Sequence, residues 1–279
     1  MKFLFIFASD KSKESMVILI TGVSSGFGKA MATRLAEDGH RVYGTVRRVV
    51  PPIKGVNYLY ADVLDDVAIE HAFMELMEKE GRIDVFINNA GIGIAGPLEF
   101  CSVPDVQHQM DVNFMGMVRW LSHVIPVMRK QGSGRIICIS SIAGRMGLPF
   151  QGAYSASKFA ITGYCEALRL ELRSSGVRVI LIEPGDFATS FVVNRSSVHS
   201  DVIAAAYPSY DHSMDCVEQS ETHGLNPVCL AEKISKIVHK KNPSNRYVVA
   251  TWTQAISVYA KRILPERVFS RILYKYFEL

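Results

Sequence analysis

Tyr154 and Lys158 stand four residues apart in GAYSASKFA, so on a helix their side chains share one face. An ammonium held near a phenol favours the phenolate, and moves a reference pKa of about 10 toward the working range of a general acid and base. With eleven tyrosines in the chain, about half of random chains of this composition would hold one such pair, so its neighbours must carry the argument. Ser141 lies thirteen residues upstream, just past an apolar run, where its hydroxyl would donate to a carbonyl that Tyr154 protonates. The adjacent Ser140 competes for that role, since serine hydroxyls also bond readily to local backbone.

A second cluster suits phosphate. VILI runs into Thr21-Gly22-Val23-Ser24-Ser25-Gly26-Phe27-Gly28 and then a helical pattern. Glycines there permit a tight turn, let the backbone approach a pyrophosphate and bring the helix close to its strand, while the helix amino terminus offers N–H groups and a positive dipole end. A turn with no ligand is the alternative. At the end of the next strand, where a carboxylate would bind ribose hydroxyls, the chain has Thr45-Val46-Arg47-Arg48 and no acid. A guanidinium fork suits a 2′-phosphate, which favours NADP(H) over NAD(H).

These residues need a scaffold, and the hydropathy pattern supplies one. Val17–Thr21, Arg41–Val46, Val56–Tyr60, Ile83–Ile87, Gly134–Ser140, Val177–Glu183 and Arg246–Ala250 read as strands, several apolar on both faces as a buried parallel sheet requires. Helical stretches lie between them at Gly26–Gly39, Asp65–Glu80, Pro104–Lys130, Ala153–Ser174 and Pro227–Lys240. The alternation predicts an α/β fold, a Rossmann-type doubly wound parallel sheet in a single domain over 16–250. Two prolines in RRVVPPIKG leave no room for a helix between the second and third strands. The stretch 186–226 follows a strand's carboxyl end, where doubly wound sheets bind ligands, and is expected to be a substrate lid.

In this order and spacing the motifs resemble those of the short-chain dehydrogenase/reductase family, over nearly all of residues 16–250. The phosphate turn matches at Thr21–Gly28, N-N-A-G at Asn88–Gly91, the active-site Ser and Y-x-x-x-K at Ser141 and Tyr154–Lys158, the helix asparagine at Asn113, the adenine-bordering pair at Asp62-Val63, and P-G-x-x-x-T at Pro184–Thr189. The resemblance implies hydride transfer from nicotinamide C4 to a carbonyl carbon, with Ser141 polarising the oxygen and Tyr154 delivering the proton. It gives Lys158 the nicotinamide ribose, and Asn113 a water that reloads Tyr154. Asn113 has an alternative, the satisfaction of backbone groups in a helix kink. For the cofactor it implies Gly22, Ser24, Ser25, Gly26, Phe27 and Gly28 at the phosphates, Arg47 and Arg48 at the adenosine ribose, and Asp62 and Val63 at the adenine. Asn89, Ala90 and Gly91 would border the ribose, and Pro184, Gly185, Phe187 and Thr189 the carboxamide. VYGTVRR and MGLPFQGAYSASKFA are similar to the hydroxysteroid, retinol and ketosphingosine branches, which implies a small lipophilic carbonyl or alcohol substrate. A homodimer or homotetramer is also expected. The contrasting reading is a nucleotide-binding redox sensor of the same fold without turnover, against which the intact Asn113, Ser141, Tyr154 and Lys158 set argues.

Composition bounds the rest. The chain has 279 residues, 48% apolar and 21% charged, enough for a large buried core and too polar for a multi-pass membrane protein. The net charge of +4 resides in the 34 residues from Arg246, which hold six basic and two acidic side chains. No basic stripe accompanies a groove-reading motif, so nucleic acid is not an expected partner. Five scattered cysteines form no C-x-x-C pair or zinc-ligand cluster, so no metal is expected and a reducing, cytoplasmic setting is. Residues 1–15 read as a loose tail or a leader upstream of the natural start, not as an export signal. Residues 251–279 predict two amphipathic helices. Trp252, Ala255, Ile256, Tyr259, Ala260, Ile263 and Leu264 follow helical spacing in the first, and Val268, Phe269, Ile272, Leu273, Tyr276 and Phe277 in the second. Two readings stay open for them: cover for the core or a subunit, or a peripheral anchor on an anionic membrane.

Overall fold

In the computed structural model, which describes residues 15–189, 195–198 and 200–279, the β-branched runs become strands. They are β1 (Val17–Ile20), β2 (Arg41–Val46), β3 (Val56–Tyr60), β4 (Val85–Asn88), β5 (Ile94–Ala95), β6 (Gly134–Ile139), β7 (Val177–Pro184), β8 (Ser196–Ser197) and β9 (Arg246–Val249). The helices are α1 (Gly26–Glu37), α2 (Asp66–Glu80), α3 (Val103–Met110), α4 (Gly116–Gln131), α5 (Gly152–Glu171), α6 (Asp201–Ala206), α7 (Tyr210–Thr222), α8 (Pro227–His239), α9 (Trp252–Ile263) and α10 (Glu266–Tyr276). The tail expected over 1–15 lies outside the described residues apart from Ser15.

Seven strands form one sheet in the order β3-β2-β1-β4-β6-β7-β9, all pairs parallel. Residue parity divides the core. Val17 and Leu19 of β1 face the side covered by Leu76 of α2, Trp120 of α4 and Ile161 of α5. Ile18 and Ile20 face Leu35 of α1 and Ile234 of α8. Because successive strands add on opposite sides of β1, its carboxyl end and that of β4 bound the crevice where such sheets take ligands.

Between β2 and β3 the chain makes no helix. The Tyr58 hydroxyl holds that loop, donating to Pro51 O at 2.8 Å and accepting from Ile53 N at 3.0 Å. The long helix expected over Pro104–Lys130 forms, but is broken by a π turn at Asp111–Met115 that joins α3 to α4. Such turns recur at functional sites. Within the expected lid, α6 and α7 pack Ile203, Tyr210 and Met214 against Ala95, Phe100 and Phe150. Residues 190–194 and 199 of it lie outside the described residues.

The two C-terminal helices differ from each other. α10 turns Phe269 and Leu273 inward against Met146 and Leu148, as core cover would. α9 presents its apolar stripe outward: Trp252, Ile256, Tyr259 and Ile263, for which cover and a peripheral anchor were both open, are 76%, 55%, 62% and 79% exposed. Gln254 holds the inner face instead, accepting from Asp186 N at 3.2 Å and donating to its carboxylate at 2.6 Å. That paired hydrogen bond orients the helix and leaves the apolar stripe outward.

Candidate active site

Thr21 ends β1 with its hydroxyl accepting from the backbone N–H of Asn89 (2.9 Å) and Ala90 (3.0 Å), which fastens the phosphate turn to the end of β4. Asn89 returns two bonds from Nδ2, to Thr21 O and Gly22 O, both 2.9 Å. Gly22 sits at φ 71° with Ala90 directly beneath it; a Cβ at Gly28 would lie 2.0 Å from Gly22 O. Glycine is therefore required at both positions, one for its conformation and one for the approach of α1 to the turn. The Ser25 side chain makes no cap bond and the first turn of α1 holds no acid, so its N–H groups face the crevice uncontested. This cradle fits a pyrophosphate. Beyond it, Arg47 and Arg48 are exposed at the end of β2, and Arg47 lies 4.0 Å from Asp62.

At the other end stands the acid–base group. Ser141 begins a short turn after β6; its Oγ accepts from Ala143 N at 3.1 Å and lies 3.5 Å from Pro184 O. Ser140 is spent elsewhere, donating to Lys158 O at 3.2 Å and lying 3.1 Å from Thr162 Oγ1 inside α5. Of the two hydroxyls, that of Ser140 is the one bonded into α5. Tyr154 and Lys158 share a face of α5, with Nζ 5.5 Å from the ring centroid and donating to Ile139 O at 3.0 Å.

For the phenol itself burial is the dominant influence. Burial pushes Tyr154 up to about 12; a hydrogen bond from Ser141 works against this, and the Glu221 and Asp186 carboxylates add to it. Burial also brings Lys158 down to about 8, which weakens the cation that was to favour the phenolate. Both shifts favour the neutral forms of the pair.

Asn113 occupies the π turn, fully buried. Its Oδ1 accepts from Ile92 N at 2.8 Å and its Nδ2 donates to Ile92 O (3.1 Å) and Ser157 Oγ (3.0 Å). Both backbone groups of Ile92, in the loop after β4, are held by this one amide.

One cleft of about 1220 Å³ joins both ends. Of the residues singled out by sequence, Gly22, Ser24, Ser25, Gly26, Phe27, Arg47, Arg48, Asp62, Val63, Asn89, Ala90, Gly91, Ser141, Tyr154, Lys158, Pro184, Gly185, Phe187 and Thr189 line it. Gly28 and Asn113 stand behind its wall. Residues 16–200 match the short chain dehydrogenase family. The chain belongs to that family. It is an oxidoreductase, 43% identical to the 3-ketodihydrosphingosine reductase of Bacteroides thetaiotaomicron over 93% of this chain and 97% of that protein. It is 35% identical to human 17-beta-hydroxysteroid dehydrogenase type 1 over 83% and 76%. A solved short-chain dehydrogenase from Streptomyces avermitilis superposes with a TM-score of 0.80 at 25% identity, over 95% of this chain and 97% of that one.

This short-chain dehydrogenase also carries site residues that motif reading did not find. Asp186 accepts from Ser220 at 2.5 Å, and Arg195 pairs with Glu221; Asp186, Ser220 and Glu221 line the cleft beside Tyr154. On the far side of Ser141, Arg145 grips the fully buried Glu183 at 2.7 and 3.0 Å, and Arg246 joins at 2.8 Å. That network fixes the Ser141 turn to β7 just before Pro184. The only sequence signal was the adjacency of Glu183 and Asp186 to Pro-Gly.

Proposed function

We propose that this dehydrogenase is an NADP(H)-dependent reductase of ketones borne on a lipophilic, long-chain or steroid-like molecule. The observation that carries the reading is the single cleft with Ser141, Tyr154 and Lys158 at one end and the glycine turn with two arginines at the other. Ile142, Met146, Leu148, Val217, Phe269 and Leu273 also line it, an apolar lining that suits a lipid chain. The similarity to proteins named for a ketodihydrosphingosine and a hydroxysteroid points the same way.

When bound, the nicotinamide dinucleotide supplies the hydride. The Ser141 hydroxyl donates to the carbonyl oxygen and draws charge toward it. Tyr154, held protonated by its buried setting, passes its proton to that oxygen as negative charge builds there. Lys158 binds the ribose hydroxyls from the same helix face, and Asn113 keeps Ile92 at the cleft's edge. Arg47 and Arg48 receive the 2′-phosphate, with no carboxylate at the end of β2 to repel it.

Titration of the protein's fluorescence with NADPH and NADH tests the cofactor half. Replacing Arg47 and Arg48 together by alanine should weaken NADPH by about tenfold or more and leave NADH within a factor of about three, since each charge-assisted bond contributes about 1.5–3 kcal/mol. Equal losses for both cofactors would remove the assignment. The substrate half is tested by NADPH oxidation with ketones of rising chain length, for which kcat/KM should climb; a fall with length would contradict it.

A further inference from the structure

On α9 Val258 is the one buried large apolar side chain, and the other four face solvent. Trp252, Ile256, Tyr259 and Ile263 are spaced four, three and four, which puts them on one face of α9, and that face is solvent-exposed while polar Gln254 faces the body. A stripe of this size on a soluble surface marks a contact. Charge says with what. Arg262, Arg267, Arg271 and Lys275 are exposed beside it, and the acids of the same segment are engaged elsewhere, Glu266 with Lys261 and Glu278 with His212. Two copies meeting on this face would bring their cations together.

The cleft opens at the same place. Trp252 begins the stripe and also lines the cleft, as do Ile272 and Tyr276 of α10. We propose that α9 and α10 form a docking surface for an anionic lipid bilayer, with the apolar stripe seated at the headgroup boundary, the arginines against the phosphates and the cleft mouth facing the lipid. No described helix is long and apolar enough to cross a membrane, so the contact lies in the interface plane. The proposal deepens the reading of the substrate as lipophilic by naming its source, although the surface itself does not depend on that reading.

The protein has two tryptophans, and Trp120 is fully buried in the core, so a change of emission on adding vesicles reports Trp252. With full-length protein and phosphatidylglycerol-containing vesicles, the emission should shift to the blue and the protein should sediment with the lipid. Raising salt should weaken both. Replacing Ile256 and Ile263 by serine should abolish the shift, and Arg267→Gln with Arg271→Gln should weaken partition about thirtyfold. NADPH oxidation with a short, water-soluble ketone should be unchanged in all these variants, which shows that they fold. Unshifted emission and no sedimentation would overturn the proposal. So would a shift that follows protein concentration without vesicles, with the mass of a dimer in light scattering; the competing occupant would then be a second copy, whose α7 offers exposed Asp215 and Glu218. Vesicle binding by a protein that reduces no long-chain ketone would support the docking surface and remove only the substrate reading.

Discussion

In the proposed mechanism Tyr154 is an acid whose proton is held tightly, and the reason is its surroundings. Burial, with Glu221 and Asp186 nearby, raises the phenol to about 12, which favours its protonated form. Tyr154→Phe should lower kcat by about 10²–10⁴-fold, the usual contribution of a positioned proton donor, with cofactor affinity unchanged within a factor of about three. Lys158 is the group that titrates. Its value is lowered to about 8, so the ammonium form prevails below that pH and is lost above it. Cofactor affinity should therefore fall as pH rises through about 8, and a fluorescence titration of Lys158→Met should show a weaker but flat dependence. Motif spacing brought Tyr154, Lys158 and Ser141 together because they lie within one stretch of chain. It could not supply the phenol's surroundings, because the carboxylates that oppose its ionisation come from segments 32 and 67 residues further on.

At the scale of elements, the turn between β1 and α1 was legible because its requirements are local: glycines where the backbone turns left-handed or meets another backbone. Gly28→Ala forces a Cβ to 2.0 Å from Gly22 O, and overpacking of this kind costs about 1–3 kcal/mol. Its urea midpoint should drop and its cofactor affinity with it. Gly163, inside α5 with nothing within 4 Å of a Cβ, is the contrasting case. Gly163→Ala should stabilise the protein by roughly 0.5–1 kcal/mol, because only the backbone entropy of glycine is removed. If the two variants unfolded alike, the distinction between close approach and empty space would be wrong. The π turn at Asp111–Met115 was not legible, and the outward face of α9 was one of two open readings, because each is imposed from outside the element. Asn113 is claimed by Ile92, and Gln254 by Asp186. Helical spacing gives the period of an apolar stripe but not the side on which it is presented.

For the whole molecule, the doubly wound parallel sheet was readable from alternation, while its strand order and the switch point between β1 and β4 come from the structure. The packing of the stretch expected as a lid was not legible, since its contacts with Phe100 and Phe150 bring together residues about fifty to a hundred positions apart. The positive excess acquires a place in the structure: it flanks an exposed apolar helix at the mouth of the cleft, apart from the charge-balanced body that holds the chemistry. The account as a whole stands on hydride reaching a ketone in that cleft under the control of Tyr154. The direct test is to supply NADPH deuterated at the transferable C4 position with a long-chain ketone, and to read the alcohol by mass spectrometry. The account predicts one deuterium on the carbinol carbon with the native protein, and almost none with Tyr154→Phe despite full cofactor binding. Unlabelled product, or cofactor bound with no ketone of any length reduced, would contradict it.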